Sequence, residues 1–230
     1  LQGVSFHLPA GQTVGLLGRT GSGKSTLTRL VSRLYDATSG HVTLGGVDVR
    51  DVPLNTLRQR VAVVTQDVQL FQASVRDNLS FFDPTIPDDR MEAALHEVGL
   101  DSWLARLEQG VHTPLPTGSL SAGEAQLLAF ARVMLLDPAV IILDEPSSRL
   151  DPATEGLLTA AMGRLLAGRT AIIIAHRLDT VARADRILVL GDGRVLEDGE
   201  RTALAHDARS HYAELLRAGV LDDEREGVLA

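Results

Sequence analysis

The chain has no cysteine, and Lys24 is its one lysine; arginine supplies every other basic side chain. Without thiols there is neither a disulfide framework nor a thiolate metal site, and a reducing compartment suits the composition. Positive charge is in deficit: the net charge of −8 argues against a nucleic-acid surface. Long apolar runs are also missing. The longest, such as "AVIIL" and "AIIIA", are far too short to cross a bilayer, and no signal peptide is visible. What remains, 230 residues of which 44% are hydrophobic, can bury a core as one domain or as a domain with an insertion. The preference for arginine over lysine is that of a GC-rich genome and points to a bacterial source.

The lone lysine sits in "LLGRTGSGKSTL". This stretch fits G-x-x-x-x-G-K-[ST], with Gly18, Gly23, Lys24 and Ser25 at the fixed positions. A strand-like run, Val14–Leu17, precedes it; after it Leu27, Leu30, Val31 and Leu34 recur on one helical face. Strand, glycine turn and helix together let successive backbone N–H groups converge on phosphate oxygens, and the helix N-terminus adds partial positive charge. Lys24 is expected to reach the β- and γ-phosphates, and the Ser25 hydroxyl to ligate Mg²⁺.

Three later runs share one design, a short apolar stretch ending in a polar residue. They are "VAVVTQ" ending at Gln66, "VIILDE" ending at Asp144 and Glu145, and "AIIIAH" ending at His176. Val/Ile runs without alternation suit parallel strands covered on both faces, and the helical stretches between them make the sheet α/β. Ligands of such sheets bind beyond the carboxyl ends of the strands. Lys24, Gln66, Asp144, Glu145 and His176 are therefore expected along one edge. Singly, each has a plainer reading: Gln66 as a strand end, Asp144 as a turn cap, His176 as a buried, satisfied histidine. Together they match phosphoryl transfer to water, with Asp144 toward Mg²⁺, Glu145 polarising the water, His176 sensing the γ-phosphate and Gln66 bridging onward.

Between "VAVVTQ" and "VIILDE" lies a segment that reads as helix, "MEAALHEVGLDSWLARLEQ", with none of the strand runs. It leads into "GSLSAGEAQLLAFAR", where Ser121 and Glu124 make an S-x-x-E capping box at the head of an apolar helix. That pattern starts a helix; with Ser121 and Gly123 exposed, it also offers an anion site pointing away from the chain's own loop.

With "GRTGSGKST", "VTQ", "LSAGEAQLLAFAR", "VIILDEPSSRLD" and "IIIAHRL", the chain resembles the nucleotide-binding domain of an ABC transporter from residue 1 to about residue 218. "LFQASVRDNLSF" and "AHRLDTVARADRILVLGDGRVLEDG" are similar to the exporter branch. The resemblance implies a phosphate-loop NTPase core with a mainly parallel sheet and antiparallel N-terminal β-strands. It also implies an ATP-binding core over 1–66 and 138–230, and an inserted α-helical subdomain over 67–137. ATP would be held by Gly18, Thr20, Gly21, Ser22, Gly23, Lys24, Ser25 and Thr26, with Mg²⁺ on Ser25, Gln66 and Asp144. Glu145, His176 and Gln66 would be catalytic. Ser121, Gly123 and Glu124 would act on the ATP of a second nucleotide-binding domain, and Asp151 would lie at the dimer contact. The remaining expected partner is a transmembrane domain docked beside the helical insertion, with this chain at the cytoplasmic face of the cell membrane. Two alternatives are a catalytically impaired regulatory half of a heterodimeric transporter and a non-transport ABC ATPase. A kinase or GTPase would leave "LSAGE" and His176 unexplained.

Two departures from the family pattern stand out. The signature carries Ala122 and Glu124 where the family has Gly and Gln, so a carboxylate replaces a neutral amide beside phosphate. The sequence opens at "LQGVSF", read as already inside a strand and downstream of the family's adenine-stacking aromatic. The chain is accordingly expected to be a fragment of a longer polypeptide. The tail "LDDEREGVLA" reads as a solvated acidic end.

Overall fold

The computed structural model describes residues 1–116, 118–144, 152–174 and 178–218. The chain runs from β1 (Thr13–Leu17) into α1 (Lys24–Val31), then a short hairpin of β2 (Thr43–Leu44) and β3 (Val47–Asp48), α2 (Leu54–Arg60) and β4 (Val61–Val64). A helical stretch follows: α3 (Val75–Ser80), α4 (Asp88–Val98), α5 (Asp101–Leu104) and α6 (Ala122–Leu136). The chain then returns to strands with β5 (Val140–Asp144), α7 (Pro152–Leu166), β6 (Thr170–Ile174), α8 (Leu178–Val181) and β7 (Arg186–Gly191). It finishes with β8 (Arg194–Glu200), α9 (Arg201–His206) and α10 (His211–Ala218). Two compact units result: Leu1–Val63 with Ala139–Glu145 and Gly168–Ala230, and Val64–Pro138 with Pro146–Ala167.

The first unit is built on a sheet of order β4-β5-β6-β1-β7-β8. β5, β6, β1 and β7 run parallel, and β8 returns antiparallel to β7. Every residue of β1 is buried, as its unalternating apolar run requires for a strand covered on both faces. One face packs Leu16, Ile142, Ile172 and Leu188 with Leu27 of α1 and Leu57 of α2. The mixed sheet, with antiparallel pairing at β2–β3 and β7–β8, bears out the α/β expectation.

Details differ from the sequence reading. Residues 1–12 form no strand. The segment is extended, with Val4, Phe6 and Leu8 alternating onto the core, and Gln2 N–H donates to the Gly193 carbonyl at 2.7 Å. Helix α1 stops before Leu34, which is exposed. Arg33 adopts a left-handed φ of 52°, and Leu34 N–H closes back on the Arg29 carbonyl at 2.8 Å, a Schellman end. The Arg33 guanidinium holds that turn, donating to the Val49 and Val52 carbonyls at 2.9 and 2.8 Å. β4 ends two residues short of Gln66, where the Thr65 hydroxyl donates to the Asp67 carbonyl at 2.8 Å and bends the chain.

The second unit is helical, and among described residues 65–138 no strand element forms. Met91, Leu95 and Val98 fall on one face of α4 and are fully buried, which is the period a packed helix demands. The expected single helix here is two, because Gly99 takes a left-handed φ of 85° and Leu100 N–H returns to the Leu95 carbonyl at 2.9 Å. Fully buried Asn78 ties α3 to its preceding loop, accepting from Phe71 N–H at 2.9 Å and donating to the Phe71 and Ser74 carbonyls at 3.0 Å. Arg132 of α6 donates to the Asn78 and Gln69 carbonyls at 2.7 and 3.0 Å.

Candidate nucleotide site

The loop between β1 and α1 turns on Gly18, Gly21 and Gly23, with φ of 141°, 81° and 107°, where an L side chain is strained. At Gly18 a Cβ would also sit 2.2 Å from the Leu190 carbonyl oxygen, so this position admits glycine alone. The loop is braced by the β7–β8 turn, where Gly193 N–H donates to the Ser22 carbonyl at 3.1 Å. Leu27 N–H reaches back to the Gly23 carbonyl at 2.9 Å. The amides ahead of it in α1 are those that a helix leaves for an outside acceptor.

Lys24 is only 7% exposed, unusual for lysine unless its ammonium is satisfied. Its Nζ donates to the Gly18 carbonyl and, at 3.1 Å, to the Arg19 carbonyl. Ser22, 5% exposed, has an Oγ with no hydrogen-bond partner among the described residues. An orphaned buried hydroxyl beside a buried ammonium at the start of a helix is the kind of group an incoming anion satisfies. Ser25 and Thr26 follow Lys24 on the exposed start of α1.

Asp144 ends β5, half-buried and paired with Ile174. Since β5, β6 and β1 are parallel, Asp144 leaves the sheet at the edge from which the loop springs. The Ser25 hydroxyl and the Asp144 carboxylate are hard oxygen donors of the kind that suit Mg²⁺. Among the described residues no group of three or more His, Asp or Glu could hold a metal ion by itself.

The other expected site residues fall in the second unit or outside the described residues. Gln66 is exposed in the bend after β4. Ser121, Gly123 and Glu124 stand together at the head of α6, but only Ser121 is exposed as expected; Gly123, in the first turn of the helix, is buried. The capping box forms as expected: Ser121 Oγ accepts from Glu124 N–H at 3.2 Å, and Glu124 Oε2 accepts from Ser121 N–H at 2.9 Å. Glu145, Asp151 and His176 lie outside the described residues. Two features were not foreseen. Arg106 Nη2 lies 3.6 Å from Glu124 Oε1, a pairing to which no sequence spacing points. Phe71, Phe81 and Phe82 form an exposed edge-to-face cluster with centroids 6.2 and 5.2 Å apart, with the Arg132 guanidinium 4.9 Å over Phe81.

A family profile described as ABC transporter matches residues 1–148. The ABC transporter ATP-binding protein YknV of Bacillus subtilis is 43% identical over 220 residues, covering 95% of this chain and 36% of that protein. The ATP-dependent lipid A-core flippase of Pectobacterium atrosepticum is 40% identical over 220 residues, covering 94% of this chain and 38% of that protein. A solved bacterial Atm1-family ABC exporter with ATP bound superposes with a TM-score of 0.85 at 35% identity, over 95% of this chain and 38% of that one. The chain thus spans well under half of the length of each relative.

Proposed function

The chain belongs to the ABC transporter family, and on that premise we propose that it is the Mg²⁺-dependent ATPase unit driving export through a transmembrane domain. The observation carrying this reading is the buried Lys24 and unpartnered Ser22 hydroxyl within the glycine loop, at the sheet edge that Asp144 shares. Gly18, Thr20, Gly21, Ser22, Gly23, Lys24, Ser25 and Thr26 cradle the triphosphate, and Lys24 exchanges loop carbonyls for β- and γ-phosphate oxygens. Ser25, Asp144 and Gln66 would hold Mg²⁺, which neutralises phosphate charge when bound. Glu145 takes the proton of the attacking water, and His176 orients toward the γ-phosphate.

Ser121, Gly123 and Glu124 complete the site of a second copy or paired domain, and Asp151 belongs to the same contact. In this reading the ATP-binding core is 1–66 and 138–230, and the helical subdomain is 67–137. The subdomain docks on the transmembrane partner, which places this chain at the cytoplasmic face of the membrane. Among the described residues no helix is long and apolar enough to cross a membrane. The exposed aromatic cluster of Phe71, Phe81 and Phe82 supports docking on the helical subdomain, since apolar rings held at the surface where α3 ends suit a protein contact.

Hydrolysis measured across a protein-concentration series tests the composite site. Specific activity should rise with concentration while monomer dominates, and Ser121→Arg should abolish it. Constant specific activity, or normal turnover by Ser121→Arg, would sink the composite site.

A further inference from the structure

We infer that Arg106 is a positioning residue for the signature end of α6, offsetting the carboxylate that Glu124 brings to it. The inference rests on the reading of that end as the contact to a second chain's ATP. A helix N-terminus carries roughly half a positive charge. Glu124 places a full negative charge beside it, enough to reverse the sign that a triphosphate meets. Its Oε2 is engaged by Ser121 N–H at 2.9 Å, which serves the cap and would be served equally by glutamine. Its Oε1 faces the Arg106 guanidinium at 3.6 Å. Helix end, carboxylate and guanidinium together return the site to roughly half a positive charge.

The scaffold suits this task. Arg106 follows α5, and its N–H donates to the carbonyl of buried Trp103 at 3.1 Å. Its backbone is therefore anchored while its side chain stays 66% exposed against 27% for Glu124. In the free chain such a pair is screened by solvent and worth little. When a second chain covers α6, screening falls and the offset strengthens. Cap formation alone requires no such cation, so the pair is explained by the anion α6 must face.

The test compares Mg-ATP hydrolysis by the chain and its variants Arg106→Ala, Arg106→Lys, Glu124→Gln, Arg106→Ala/Glu124→Gln and Ser121→Arg. Arg106→Ala should lower kcat/KM about fivefold, near the upper end of an exposed pair's coupling. Arg106→Lys should keep most of the activity, and the double variant should match Glu124→Gln alone. An equal loss from Arg106→Ala in both backgrounds, or no loss in either, overturns the inference. If Ser121→Arg is inactive while Arg106→Ala is neutral, only the role of Arg106 fails; if Ser121→Arg turns over normally, the composite site beneath it fails as well.

Discussion

Asp144 and Leu16 stand on one row of the sheet, because each pairs with Ile174 of the strand between them. Two strand spacings separate their backbones, about 10 Å. The carboxylate and the strand feeding the glycine loop therefore reach the same edge by register, although they are distant in sequence.

Asp144→Asn keeps the shape of this edge and removes the charge. Mg-ATP hydrolysis should fall about a hundredfold, in line with losing a metal-orienting group. Binding of ATP without Mg²⁺ should change little. Calorimetric titration with and without Mg²⁺ separates the two; an equal loss in both would place Asp144 on the nucleotide rather than the ion.

Glu145→Gln and Lys24→Ala should fail differently. The first should retain ATP and lose turnover by roughly two to four decades, the range for a general base. The second should weaken ATP binding itself, since no other lysine can replace its ammonium. Nucleotide affinity and single-turnover rates distinguish them. Normal turnover by Glu145→Gln would remove it from the base role.

Arg132 should matter for stability more than for chemistry. Burial lowers its pKa to about 10, so it stays protonated at neutral pH while bonding the Asn78 and Gln69 carbonyls. Arg132→Ala orphans these acceptors and should cost about 1–3 kcal/mol. Denaturant unfolding measures it, and a loss within error would show that water takes over both carbonyls.

Asp88 should give the helical unit an acid limit. The hydrogen bond from His112 at 2.7 Å, then the Arg76 pair at 3.0 Å, holds its carboxyl below the ordinary value. The folded state therefore binds this proton less readily than the unfolded state. The stabilisation is present above the ordinary carboxylate pKa and is lost as pH falls through the lower folded value, below about pH 4. Thermal midpoints of the parent chain and Asp88→Asn should differ at pH 7, and the gap should close as pH falls below the ordinary carboxylate pKa of about 4. A constant gap would assign the effect to something other than this ionisation.

What the sequence determined by itself was what a few neighbouring residues can require. Gly18, Gly21 and Gly23 demand a backbone that side chains resist, Ser121 and Glu124 cap a helix three residues apart, and the unalternating run of β1 needs cover on both faces. The helix ends at Arg33 and Gly99 were less legible: the apolar spacing continues past both, and the backbone reversal outweighs it. Only the tertiary structure decided that β6 lies between β1 and β5, that the Gly193 turn braces the phosphate loop, and that Arg106 meets Glu124. These relationships join distant stretches. No local pattern carries them, because register and side-chain meeting follow from how the whole chain buries its apolar surface at once.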